Sequence, residues 1–263
     1  MYTFELQKAD SVAAAAAALE RTGGRALAGG QSLVAAMKLR LAQPGTLVDL
    51  SGIADLKGIR QEGNALVIGA MTRHAEVAAA PVVKAALPAL AAVAEGIGDR
   101  QVRNMGTLGG SLANNDPAAD YPAAVLALGA TINTNKRKIA ADDFFRGMYE
   151  TALADGELIT SVSFPLPGKS AYAKFPQPAS RFALVGVFVA QTTNGVRVAV
   201  TGAASSVFRA KDIEDALTKN FTAAAAKAVQ VDASTLSSDL HGSAAYRAHL
   251  VAVMAARAVE ACG

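Results

Sequence analysis

Two short glycine-rich stretches carry the chemistry this chain could do. In the first, Ala28-Gly29-Gly30-Gln31-Ser32-Leu33, a short run of small apolar residues gives way to two glycines and then to a serine that opens a helical pattern. A strand–turn–helix junction aims several backbone N–H groups and a helix N-terminus at one point, which suits an anion. Glycine serves there because a Cβ would hold a phosphate off the backbone, and because such turns visit positive φ. Taken singly, the stretch reads more simply as a plain strand–helix turn. The second stretch, Gly106-Thr107-Leu108-Gly109-Gly110-Ser111, sets three glycines beside two hydroxyls. It is followed by Asn114-Asn115-Asp116-Pro117 and then by Asp120. This composition fits a cradle of amides and hydroxyls with a carboxylate nearby for ribose hydroxyls. Two cradles suit a diphosphate better than a single phosphate. The standard nucleotide signatures are missing: no Gly-x-Gly-x-x-Gly follows a strand, and Gly168-Lys169-Ser170 resembles the end of a P-loop whose first glycine is replaced by Ser163.

The other reactive residue types point elsewhere or nowhere. Cys262 is the single cysteine, so the chain can form no internal disulfide and no cysteine-ligated iron–sulfur or zinc site. The three histidines, His74, His241 and His249, are too scattered for a metal site. His74 reads as a hydrogen-bonded residue at a helix start, the other two as structural. Lys136-Arg137-Lys138 is the tightest basic cluster, but a net charge of +3 is too small for a nucleic-acid footprint, so the cluster reads as a solvated turn. A content of 52% hydrophobic and 18% charged residues is globular rather than disordered. The first ten residues are too polar for a signal peptide, and no apolar run reaches the roughly 18 residues of a membrane span. A cytoplasmic, reducing setting with no membrane span is the expectation.

The elements that must position the glycines follow from periodicity and breakers. Phe4-Glu5-Leu6 reads as a short edge strand. Asp10-Ser11 offers a cap for a helix to about Arg21, ended by Thr22-Gly23-Gly24. Arg25 to Ala28 reads as a short buried strand, Leu33 to Leu41 as a helix and Thr46 to Leu50 as a strand. Residues 1–52 thus form a β-α-β-α-β unit. Beyond it, Leu56–Arg60 and Ala65–Ile68 form a hairpin. Helical patterns occupy His74–Ala80, Val82–Ala94 and Pro122–Leu128, with strands at Ala130–Asn133 and Ile159–Phe164. Pro165-Leu166-Pro167-Gly168 is the clearest boundary. After it come strands at Ala171–Phe175, Val185–Gln191 and Val196–Thr201, then helices at Ala210–Thr218, Ala223–Val229 and Ala244–Cys262. The division is a first domain at 1–168, with lobes of about 1–52 and 53–168, and a smaller α+β domain at 171–263.

A resemblance sharpens this reading. Leu27-Ala-Gly-Gly-Gln-Ser-Leu33, Met37-Lys-Leu-Arg-Leu41, Leu47-Val-Asp-Leu50 and Ile68-Gly-Ala-Met-Thr-Arg-His-Ala-Glu76 resemble the medium subunit of molybdenum hydroxylases of the carbon monoxide dehydrogenase and xanthine dehydrogenase type. The likeness continues in order through Asp99 to Asp120, Asp143-Phe-Phe145, Glu157-Leu-Ile159 and Ala183-Leu-Val-Gly-Val187, covering about residues 1–205. It implies an α+β fold: a two-lobed FAD-binding domain of the vanillyl-alcohol oxidase type, then a smaller α+β domain. It implies FAD on this chain, with a molybdenum cofactor on a large partner subunit and two [2Fe–2S] clusters on a small one, in a dimer of heterotrimers. Electrons would pass from the clusters through FAD to an external acceptor.

The resemblance also assigns residues. Ala28, Gly29, Gly30, Gln31, Ser32 and Leu33, together with Thr107, Leu108, Gly109, Gly110 and Ser111, match the two pyrophosphate stretches. Asp120 matches an acid that orders the cofactor's polar portion. Ile159 matches a position packing on the isoalloxazine, Ile97 a further apolar contact, and Lys174 a basic residue near the pyrimidine edge. Phe182 falls where relatives place an aromatic near the ring. No residue is assigned a catalytic or metal-binding role. Read as bare residues, Asp120 could instead cap the helix near Pro122, Ile159 could be ordinary strand core and Lys174 a surface lysine. The benzoyl-coenzyme-A reductase branch, with extra cysteine-ligated iron–sulfur on this subunit, does not fit a chain with one cysteine. Two other functions stand beside the main one: a self-contained flavin oxidoreductase of the same fold, and a scaffold that has lost FAD.

Overall fold

The computed structural model describes residues 1–262. The first lobe comprises β1 (Glu5–Lys8), α1 (Val12–Thr22), β2 (Arg25–Leu27), α2 (Leu33–Lys38) and β3 (Thr46–Asp49). Ser11 starts α1 as its side chain accepts from the Ala14 amide at 3.2 Å, and Gly23 ends it in the left-handed region at φ 60°. The strands pair in the order β1-β3-β2, all parallel, as helical crossovers require. Ala15 and Leu19 of α1 pack on Val48, Leu50, Ile53 and Leu56, joined by Met71 and Leu158 from farther along the chain. Two expectations need correction. β2 is an edge strand and is half-buried at most, not buried. The second helix stops at Lys38 because Arg40 turns left-handed, at φ 62°.

The second lobe runs β4 (Ile59–Glu62), β5 (Ala65–Gly69), α3 (His74–Ala79), α4 (Pro81–Ala86), α5 (Pro88–Glu95), α6 (Arg100–Met105), α7 (Leu108–Asn114), α8 (Tyr121–Ala127), β6 (Thr131–Thr134), β7 (Lys138–Ala140), α9 (Ala141–Phe144), β8 (Phe145–Gly147), β9 (Glu150–Thr151) and β10 (Ile159–Pro165). Five strands form an antiparallel sheet in the order β4-β5-β10-β6-β7. Its core unites Leu66, Ile68, Ile132, Val162 and Phe164 with Leu90, Val93, Leu108, Leu112, Tyr121 and Val125 of the helices. Leu56 lies in a short 3-10 turn, Ala54–Leu56, outside the hairpin. The single helix expected over 82–94 is two. Pro88 lacks an amide, and the residue before it, Leu87, is driven out of helical geometry to ψ 65°.

The C-terminal portion is an antiparallel meander, β11 (Lys169–Pro176), β12 (Ala183–Thr192), β13 (Gly195–Thr201) and β14 (Phe208–Arg209), followed by α10 (Lys211–Lys219), α11 (Ala223–Lys227) and α12 (Ala244–Ala261). Strand alternation divides β12 between two cores. Val185, Val187 and Val189 face α12, whereas Phe188 and Ala190 join the core of the second lobe. Arg197 of β13 reinforces that seam by donating to the Leu126 carbonyl at 2.7 Å and to Asp142 at 2.8 Å. Among the described residues no helix is long and apolar enough to cross a membrane, and no group of three His, Cys, Asp or Glu side chains could hold a metal ion.

Candidate functional site

The two glycine stretches touch. A Cβ on Gly29 would run into the Met105 carbonyl oxygen and lie 2.7 Å from the Gly106 Cα, so the first turn is seated directly on the second. A Cβ on Gly110 would come within 3.4 Å of the Ala28 Cβ. Gly30 supplies the turn between β2 and α2, with φ 72°. Gly29 is therefore explained by backbone packing and Gly30 by conformation.

Their hydrogen bonding differs sharply. None of the six backbone amides from Ala28 to Leu33 is donated to an acceptor among the described residues. The turn's inward bonds are instead the Val34 amide to the Gly30 carbonyl and the Ala36 amide to the Ser32 carbonyl, each 3.0 Å. An uninterrupted run of open amides beside an abutting backbone is the donor set that a pyrophosphate requires. The second stretch is not the open cradle expected. Residues 108–114 are helical, and Thr107 caps them by accepting from the Gly110 amide at 3.2 Å. The Leu108 amide donates to Thr72 O (3.0 Å), Gly109 to Ala70 O (2.8 Å) and Ser111 to Thr107 O (3.0 Å). What this stretch leaves open is the Thr107 amide and the Ser111 hydroxyl, neither with a partner among the described residues. Arg73 and Thr107 form an isolated antiparallel bridge bracketed by the bonds His74 N to Gly106 O and Leu108 N to Thr72 O, so the Thr107 amide points away from Arg73. α2 has six residues and α7 seven, so any preference for an anion rests on these individual donors more than on long helix dipoles.

Beneath the second stretch lies His74, the first residue of α3. Its amide donates to the Gly106 carbonyl at 3.0 Å, and its imidazole fills the space that a Gly106 Cβ would need, 2.5 Å from Nε2. It begins a helix as expected, but its side chain is not hydrogen-bonded as expected: Nδ1 is buried without a partner. Burial, helped by the nearby Arg103 guanidinium, holds its pKa down at about 4. The ring packs at 5.3 Å on Tyr121, whose buried hydroxyl also lacks a partner. Ile159, at the start of β10, is in the core of the second lobe. Its neighbour Thr160 accepts from the Ala70 amide at 2.9 Å, and Ala70 in turn accepts from Gly109.

A second group of assigned residues meets where the C-terminal portion joins the second lobe. Asp120 is buried, immediately before α8, with φ −76° and ψ −43° and no capping bond, so the capping alternative is excluded. Its Oδ1 accepts from the Tyr172 hydroxyl at 2.6 Å, and the Lys174 ammonium lies 3.1 Å from both carboxylate oxygens. Burial pushes the Asp120 pKa up, while Lys174 and the Tyr172 hydrogen bond oppose the shift. Lys174 is no surface lysine: its side chain is 13% exposed and also donates to the Gly96 carbonyl at 2.8 Å. Ile97 follows Gly96. Arg103 holds its segment by donating to the Ile97 and Gly98 carbonyls at 2.9 and 3.1 Å. Arg181, left-handed at φ 62°, reaches Gly98 O at 3.5 Å, which places its neighbour Phe182, 46% exposed, beside the same turn. The structure thus collects Ile97, Asp120, Lys174 and Phe182 in one group, and Ala28–Leu33 with Thr107–Ser111 in another. The His74–Tyr121 contact joins the two. Tyr172 was not singled out from sequence, although strand alternation puts it on the face of Lys174.

Comparisons with known proteins agree with this architecture. The family model described as "FAD binding domain in molybdopterin dehydrogenase" matches residues 2–167, and "CO dehydrogenase flavoprotein C-terminal domain" matches residues 170–262. The chain is 38% identical over 251 residues to the nicotine 6-hydroxylase medium subunit of Paenarthrobacter nicotinovorans, covering 90% of this chain and 89% of that protein. It is 36% identical to the carbon monoxide dehydrogenase medium chain of Hydrogenophaga pseudoflava, covering 98% and 96%. A chain of reconstituted CO dehydrogenase from Oligotropha carboxidovorans superposes with a TM-score of 0.89 at 34% identity, covering 99% and 98%. With its open amide run, its paired glycine stretches and both family domains in order, this chain belongs to the FAD-binding medium subunits of the molybdenum hydroxylases and is an oxidoreductase subunit.

Proposed function

We propose that this chain is the point at which electrons leave a molybdenum hydroxylase complex. Electrons released at a molybdenum cofactor in a large partner subunit would be relayed by two [2Fe–2S] clusters in a small partner subunit to this chain, and from here to an external acceptor. The assembly fitting this role is a dimer of heterotrimers in the cytoplasm. When bound, FAD supplies the chemistry that couples one-electron iron–sulfur donors to that acceptor.

The observation that carries the reading is the run of six amides without a protein acceptor at Ala28–Leu33, seated against the second glycine stretch. In this reading those amides, the Thr107 amide and the Ser111 hydroxyl hold the pyrophosphate, while buried Leu108 and Gly109 fix the distance between the two stretches. Asp120 orders the polar portion of the cofactor. The ring lies toward Ile97, Ile159 and Phe182. Lys174 places positive charge where the reduced ring gains negative charge. The domains that do this work are 1–168 and 171–263.

The test is direct. The purified chain should take up one FAD, acquire a flavin absorption spectrum and melt at a higher temperature. A reduced [2Fe–2S] partner should then bleach that absorption. A folded preparation that gains no flavin spectrum with added FAD overturns the proposal. Bleaching by a small organic substrate without any partner would instead establish a self-contained oxidoreductase.

A further inference from the structure

Gly186 lies in the middle of β12, opposite Lys174 of β11, flanked by the bulky apolar residues Leu184, Val185, Val187 and Phe188. Its φ is not in the left-handed region, so conformation does not call for glycine there. Space does. A Cβ on Gly186 would collide with the Tyr172 hydroxyl oxygen, and would lie 2.9 Å from the phenol Cζ and 3.0 Å from the Thr201 Cγ2. The missing side chain is thus a notch through which the phenol crosses its neighbouring strand. The ring is backed by Phe188 at 6.3 Å, and its hydroxyl ends 2.6 Å from Asp120 Oδ1.

Asp120 needs such a partner. It is 5% exposed, and an ionised carboxylate that deep is costly unless charge and hydrogen bonds meet it. Lys174 supplies the charge, centred between both oxygens. An ammonium is a compact point charge that sets no particular carboxylate rotation. The short hydroxyl bond to one named oxygen does set it.

We infer that Tyr172, admitted by the Gly186 notch, is a positioning residue that fixes the Asp120 carboxylate in the orientation it presents to Lys174 and to FAD. This rests on the proposed roles of Asp120 and Lys174 at the cofactor. It follows that the flavin site is completed by the C-terminal portion: β11 contributes Tyr172 and Lys174, and β12 contributes the absence of a side chain.

The experiment is a double-mutant cycle on the full-length chain, read as FAD dissociation constants, with the melting temperature of each apo variant as the control for folding. Tyr172→Phe should weaken FAD binding about tenfold, the loss of one hydrogen bond to a charged group. In an Asp120→Asn background the same change should alter binding less than twofold, because the charged acceptor is gone. Gly186→Ala should weaken binding at least comparably, because its Cβ would displace the Tyr172 hydroxyl from Asp120. Equal FAD affinity of wild type and Tyr172→Phe would overturn the inference while leaving the proposed function standing. So would a Tyr172→Phe effect that persists undiminished with Asn at 120, which is what a purely structural role would give. A wild-type chain that binds no FAD would overturn the proposed function and this inference together.

Discussion

The two glycine stretches look alike as strings and differ as structures. Around Gly29-Gly30, the backbone offers six successive amides that bond to nothing else among the described residues. Around Gly106–Gly110, the amides of Leu108, Gly109 and Gly110 are all consumed internally, and Gly106, Thr107, Leu108 and Gly109 are buried. Glycine is present in both, for different physical reasons. In the first it permits a left-handed turn and a close approach of backbone to backbone. In the second it makes room: Gly106 for the His74 ring and Gly109 for Ala70, whose Cβ would be 2.6 Å from an added one. In the proposed function the first stretch is therefore the binding surface and the second is the floor on which it rests.

This contrast can be broken by substitution. The largest effect belongs to the floor. Gly106→Val would drive a side chain into the buried His74 ring and toward the Val102 carbonyl, 3.1 Å from the first added carbon. Overpacking of this kind should cost about 3 kcal/mol, a fall of roughly 10 °C in the melting temperature measured by calorimetry.

Next comes acid. The folded pKa of His74 is about 4, against 6.5 for a free histidine, so between those values the unfolded chain binds a proton that the folded chain refuses. The contribution is intact above about pH 6.5 and is lost as pH falls toward 4, by about 3 kcal/mol in all. The Tyr121 phenol packed against the ring has its pKa pushed up by burial, so it keeps its proton throughout that window. Denaturant unfolding at pH 7 and pH 4.5 should show the loss, and His74→Gln should remove most of that pH dependence.

The smallest stability effect belongs to the first stretch. Gly30→Ala forces a side chain to φ 72° and to 3.1 Å from a Val34 methyl, at a cost of about 1–2 kcal/mol. Yet FAD affinity should fall at least about tenfold, because the amides on both sides of Gly30 lose their alignment. A Gly30→Ala variant that binds FAD normally would place the pyrophosphate elsewhere.

Much of the architecture was legible because its signals are local. Ser11 before an alanine run, Gly23 after it, and the valine-rich runs of β12 and β13 all act within a few residues. The misses share a cause. α6 has no apolar period, being Arg-Gln-Val-Arg-Asn-Met, and it exists because Asp99 caps it at 2.8 Å and Gly106 closes it. α7 was hidden by two adjacent glycines, each costing about 1 kcal/mol in a helix, and the Thr107 cap and the burial of Leu108 and Leu112 outweigh them. β7, β8, β9 and β14 are two or three residues long, too short for a pattern to declare itself. At the site, the glycines and Asp120 announce themselves by type. The notch that lets Tyr172 reach Asp120 joins positions 52 residues apart, and only the folded chain brings them together.

The central claim is that the first stretch binds and the second supports, and amide hydrogen exchange tests it most directly. Without cofactor, the amides of Ala28–Leu33 should exchange fast and those of Leu108, Gly109 and Gly110 slowly. On adding FAD, protection should appear across Ala28–Leu33 while the already protected second stretch changes little beyond Thr107. If FAD binds and Ala28–Leu33 continue to exchange as before, the assignment of the cofactor's pyrophosphate to these amides is wrong.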